Sequence, residues 1–252
     1  MIKYNDVVLK TADALVKAST TFSPDKIEAY ERAIKLEDNP NAKWVLETIL
    51  ENSQVAKKTK FPLCDDTGIP HVFVEVGSET TLPKGFISAV EEGVRMGLRQ
   101  LPGRPMAVNG NDRERISQSY GLSEDPGDLE MAPIQIREVK DCDKIAITVL
   151  MLGGGPEIRG KTLRVFHKHS EQVVINEMIE WAKEGCQKLG CQPSILGFGI
   201  GRTNYEAASL SLEAMRYGNL LIQSDMEKEI TEKVNESGIG PLGLGGKSTV
   251  IG

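Results

Sequence analysis

The chain has little of what would mark it as secreted, membrane-spanning or nucleic-acid-binding. Its 252 residues include four cysteines, Cys64, Cys142, Cys186 and Cys191, too few for the disulfide framework of a secreted scaffold. No apolar stretch reaches the roughly 20 residues that cross a bilayer. The opening Met1-Ile2-Lys3-Tyr4-Asn5-Asp6 has no signal-peptide apolar core. No run of lysine and arginine occurs and the net charge is −6, which argues against a broad nucleic-acid surface. The run Gly153-Gly154-Gly155 is not followed by the Gly-Lys-Ser/Thr of a phosphate loop. The expectation is a soluble, cytoplasmic chain with reduced thiols, long enough for one large domain or two small ones.

What is present centres on Phe61-Pro62-Leu63-Cys64-Asp65-Asp66-Thr67-Gly68. Pro62 stiffens the entry, and Gly68 lets the backbone turn before the apolar run from His71 to Val76. A thiolate in such a turn suits a soft metal or an iron–sulfur cluster. A neighbouring carboxylate can move a proton or hold a hydroxyl group. A cysteine buried beside an Asx-turn is the other reading of the same residues.

Around this turn the periodicity predicts helices over 5–19 and 24–37, the second with Ser23 as cap and Pro24 in its first turn. A third helix starts near Asn39-Pro40, with Trp44, Val45, Ile49 and Val55 on one face. Residues 72–76 read as a strand, and Pro83 opens a helix with Phe86, Val90, Val94 and Leu98 inward. Arg104 sits between Gly103 and Pro105 on a stiff loop, where its fork suits a carboxylate, although a solvated loop arginine has the same look. Residues 109–130 read as a long exposed loop. Strands follow over 132–139 and 144–152, ending at Gly153-Gly154-Gly155, where a ligand can approach the backbone and meet N–H donors. His167 and His169 would share a face on a strand, a pair without an evident third ligand. Ser170 caps a helix to about Leu189, Ser194 to Gly199 reads as a short buried strand, and Thr203/Glu206 and Ser224/Glu227 read as capping boxes. Cys186 falls within a helix and Cys191 in the break after it. The glycine-rich end, 238–252, is expected to be disordered or held by a partner. The whole reads as an α/β fold with a central mixed sheet and surrounding helices. Residues 1–60 form its helical N-terminal part and 61–252 the α/β domain, as one compact unit.

The Cys64 motif resembles the Cys-Gln-Asp-Thr-Gly signature of the iron–sulfur (class I) fumarate hydratases and L-tartrate dehydratases. Four further stretches are similar to that family in the same order: Arg104-Pro105-Met106-Ala107-Val108, Leu152-Gly153-Gly154-Gly155, Cys191-Gln192-Pro193 with Gly197 to Gly201, and Gly238 to Gly246. The similarity covers roughly residues 40–252. The resemblance implies the α subunit, or N-terminal half, of a hydro-lyase that adds water to, or removes it from, a small dicarboxylate such as fumarate, malate or tartrate. It implies a [4Fe–4S] cluster ligated by Cys64 and Cys191. It also implies Asp66 on the substrate hydroxyl, Arg104 on a carboxylate, and Gly153, Gly154 and Gly155 as backbone donors. The base would come from a β subunit, in a hetero-oligomer or with a homodimer of α chains.

The chain departs from the family pattern at two places that bear on chemistry. Asp65 stands where the family has glutamine, and a second carboxylate there repels a dianionic substrate unless it is protonated or paired. The family's third cluster cysteine follows the Gly-Pro-x-Gly-Leu segment, and no cysteine follows it here. Two other readings stay open: a cluster-free binding or regulatory subunit on the same scaffold, and a zinc protein using Cys64, Cys191 and a histidine.

Overall fold

A computed structural model describes residues 2–66, 68–103, 111–113, 123–157 and 159–252. Arg104 and most of the loop after it lie outside the described residues. The chain divides into two compact units, one of residues 1–21 and 53–157, the other of residues 22–52 and 158–252.

The first unit is built on β1, Ile69–Gly77, whose alternation sends Val72 and Val74 to one face and His71 and Phe73 to the other. Among the described residues its sheet has three strands in the order β2-β1-β3. β2, Gln135–Val139, pairs with β1 in parallel. β3, Ile145–Leu152, pairs antiparallel, with Ile69 opposite Leu152. This is the expected α/β class with a mixed sheet. The Val72/Val74 face carries α1, Tyr4–Thr20, and α4, Phe86–Gln100. Val8, Leu15, Val90, Val94 and Leu98 fill the layer between them. The two helices approach closely because Gly93 has no side chain: a Cβ there would lie 2.6 Å from Thr11 Cβ. Pro83 does not open α4, because Gly85, at φ +74°, precedes its first residue.

The second unit contains α2, Pro24–Leu36, much of α3, Pro40–Thr59, and three later helices: α6, Glu171–Gln187, α7, Asn204–Tyr217, and α8, Asp225–Asn235. In chain order, the short α5, Gly154–Glu157, precedes these later helices and belongs to the first unit. Ile175, Met178, Ile179, Ile230 and Val234 bind α6 to α8. Ala29, Tyr30, Ala33, Leu46 and Ile251 form another core, where Phe22 stacks on Tyr30. Burial there pushes the Tyr30 phenol up to about 12.

Four expectations are corrected here. Trp44 and Val55 of α3 are exposed, and Ala42, Val45 and Leu46 make its buried stripe. Ser194 to Gly199 is not a strand: it makes one isolated parallel bridge, Ser194 to Val250. His167 and His169 lie on a turn rather than a strand, with Lys168 and His169 both at positive φ and Ser170 N–H donating to the His167 carbonyl at 2.8 Å. The glycine-rich end is ordered within its own unit. Buried Glu37 accepts from the backbone N–H groups of Asn39 and Lys247 at 3.1 and 2.8 Å. Asn235 exchanges two hydrogen bonds with Val250, and Thr249 Oγ1 accepts from Gly240 N–H. Side chains from elsewhere in the unit satisfy a backbone whose own composition favours disorder.

Candidate active site

The antiparallel register decides which residues meet. Because Ile69 faces Leu152, the start of β1 and the end of β3 share one edge of the sheet. The Cys64–Gly68 turn and the Gly153–Gly155 run therefore become neighbours although far apart in sequence. Gly68 fits this junction at φ +87°, where a Cβ would stand 2.5 Å from the Leu152 carbonyl oxygen.

Asp66 is the residue that joins the two segments. Its Oδ2 accepts a hydrogen bond from the Gly154 N–H at 2.8 Å. Its Oδ1 is buried and has no hydrogen-bond partner among the described residues. A buried carboxylate oxygen without a donor is unfavourable by roughly 1–3 kcal/mol, so the site is chemically poised to take a donor from elsewhere. Cys64 and Asp65 are exposed beside it. The glycine run turns into α5, where Glu157 N–H donates to the Gly153 carbonyl at 3.0 Å. Glu157 Oε1 then lies 3.6 Å from Nε2 of buried His71 on β1. Neither His71 nor Glu157 was marked as a site residue by the sequence. The available signal was the period-two alternation of β1, which puts His71 on the face away from Val72 and Val74.

The other predicted site residues fall elsewhere. Cys191 is exposed and belongs to the second unit, following α6. The Gln192 carboxamide donates to the Cys186 and Leu189 carbonyls and so ties this turn to the helix end. Arg104 lies outside the described residues. Cys186 is buried and its thiol is pushed up by desolvation, with a hydrogen bond to Ser194 acting the other way. Cys142 sits in the β2–β3 connection with Sγ 4.0 Å from the Lys144 carbonyl. His167 and His169 meet edge to face, their ring centroids 5.2 Å apart. Among the described residues, no three or more His, Cys, Asp and Glu side chains are grouped to hold a metal ion. The exposed thiols Cys64 and Cys191 are suitable cluster donors by type, but the described residues do not supply a complete ligand set.

A family model described as fumarate hydratase (Fumerase) matches residues 8–252. The chain is 29% identical to a Methanocaldococcus jannaschii protein provisionally named L(+)-tartrate dehydratase subunit alpha, over 99% of this chain and 87% of that one. It is 27% identical to the L(+)-tartrate dehydratase subunit alpha of Escherichia coli K12, over 93% of this chain and 76% of that one. The same identity and coverage hold for the Shigella sonnei protein of that name. Among the described residues no helix is long and apolar enough to cross a membrane.

Proposed function

The chain belongs to the fumarate hydratase family, a family of hydro-lyases, and we propose that it is the α component of an enzyme hydrating or dehydrating a small dicarboxylate such as fumarate/malate or tartrate. The observation that carries this reading is Asp66. One of its oxygens is pinned by Gly154, and the other is buried without a partner among the described residues. That free acceptor is suited to the hydroxyl group that a hydro-lyase adds or removes. With the Gly154 N–H held by Asp66, Gly153 and Gly155 are the backbone donors of the turn left for a substrate oxygen, and Arg104 supplies the fork for a carboxylate.

Cys64 and Cys191 would hold a [4Fe–4S] cluster, which when bound supplies a Lewis-acid iron. Its remaining ligand is not among the described residues. A β subunit, after the α naming of the relatives, would bring the base that takes the carbon-bound proton.

The test is iron and acid-labile sulfide per chain after anaerobic purification, with and without the protein encoded beside it, followed by turnover of fumarate, malate and tartrate. About four irons and four sulfides together with turnover of one of these acids is the expected result. A fully loaded complex that turns over none of them overturns the dicarboxylate reading. A chain that takes up no iron under either condition moves the function to a cluster-free binding subunit.

A further inference from the structure

Asp66 can serve a substrate only while the glycine turn stays in register with it, and the turn has few contacts of its own. Gly153 to Gly155 lack side chains, and α5 is a single turn of four residues. What reaches back from it to the sheet is Glu157. Its carboxylate lies 3.6 Å from Nε2 of His71, whose side chain is only 9% exposed. On the other side of the ring, Nδ1 is 3.2 Å from the Ile69 carbonyl oxygen. A carbonyl only accepts, so Nδ1 carries its proton there. Nε2 faces the Glu157 carboxylate across that 3.6 Å, a contact of ion-pair range and longer than a hydrogen bond. Glu157 is meanwhile tied through its own N–H to the Gly153 carbonyl, the residue just before the Gly154 N–H that holds Asp66. One continuous chain of contacts thus runs from Ile69 on β1 through His71, Glu157 and Gly153 to Gly154 and Asp66.

We propose that His71 and Glu157 are positioning residues: together they form a clip that fixes the glycine turn against Asp66. This rests on the reading of Asp66 and the glycine turn as the substrate site, but the clip itself is testable without substrate. In the labelled chain, the Gly154 amide is expected to exchange with solvent about tenfold faster in Glu157→Gln and in His71→Gln, the scale of one lost local contact on a local opening equilibrium. Amides of α1 and α4 keep their wild-type rates. Glu157→Gln also moves the ring resonances of His71 but not those of His167 and His169. In the complex, both variants raise KM for the dicarboxylate while melting at the wild-type temperature.

Unchanged Gly154 exchange in both variants overturns the proposal. Should either variant fail to fold, the wild type still decides, because a Gly154 amide exchanging at the rate of a free peptide rules out a fixed turn. If Gly154 loosens in the variants but the wild-type complex turns over no dicarboxylate, the clip stands and the substrate reading falls. If the wild type is active and both variants leave KM and Gly154 untouched, the clip falls and the substrate reading stands.

Discussion

Asp66 and Gly154 are held together by one hydrogen bond of 2.8 Å, carboxylate Oδ2 to backbone N–H, across 88 positions of sequence. The bond leaves the second carboxylate oxygen buried and, among the described residues, without a donor. Half of this side chain is therefore structural and half is available for chemistry.

The first prediction separates those halves. Asp66→Asn keeps the shape and an acceptor for Gly154 but loses the negative charge. It is expected to fold with a melting temperature close to wild type, since the buried charge it removes is not fully compensated. Turnover by the complex is expected to fall about a hundredfold or more, the scale of one lost electrostatic contact to the reacting group. Thermal melting and a dicarboxylate assay on the same preparation check both parts.

The thiols give a second prediction. Cys64→Ser and Cys191→Ser are each expected to lower bound iron and sulfide sharply after anaerobic reconstitution. Cys142→Ser is expected to leave both at the wild-type level, because that thiol faces the Lys144 carbonyl in a strand connection. Equal iron in all three variants would remove Cys64 and Cys191 as ligands.

Two glycines should respond oppositely to alanine. At Gly68, φ is +87° and a Cβ would meet the Leu152 carbonyl oxygen at 2.5 Å. Gly68→Ala is expected to destabilise by about 1–3 kcal/mol. At Gly185, near the end of α6, a Cβ would meet nothing within 4 Å. Gly185→Ala is expected to stabilise by about 0.5–1 kcal/mol, the helix penalty of glycine. Urea unfolding of the two variants beside wild type measures both.

Acid sensitivity offers a further test at a surface site. Lys161 and then Lys188 hold the Glu184 carboxyl down at about 2, from an ordinary 4.5. Its folded-state value is depressed, so its contribution to stability is present above 4.5 and is lost as pH falls toward 2. The stability difference between wild type and Glu184→Gln, taken from urea midpoints, is expected to shrink over that window. A difference independent of pH would show that the two lysines do not act through the charge of Glu184.

Glu37 anchors the glycine-rich end. It is buried, and its two oxygens accept from the Asn39 and Lys247 N–H groups. Glu37→Ala leaves both donors unsatisfied and is expected to cost about 1–3 kcal/mol. Hydrogen exchange should quicken over 240–247 first.

Much of this protein was written locally. The helical periodicity of 5–19 and 24–37 returned as α1 and α2 within a residue or so. Ser224 and Glu227 form the reciprocal capping box that their spacing requires. At α7 the spacing was read one residue off: Thr203 accepts from the Glu206 N–H, but the Glu206 carboxylate takes the N–H of Arg202. Such features depend on groups within a turn of one another, so the sequence alone determined them. The Cys64 motif and the glycine run were also legible as segments, because special backbone demands leave Gly, Pro and Asp at fixed offsets.

Tertiary structure decided the rest. Nothing local says that Asp66 bonds to Gly154, that His71 meets Glu157, or that Glu37 holds Lys247. Each pairing follows from a strand register or a packed core that brings distant residues together. Trp44 shows the converse: its apolar character predicts burial, yet it is 65% exposed, because Ala42, Val45 and Leu46 already occupy the inward stripe of α3. Periodicity fixes which residues share a face, and only packing fixes which face is covered.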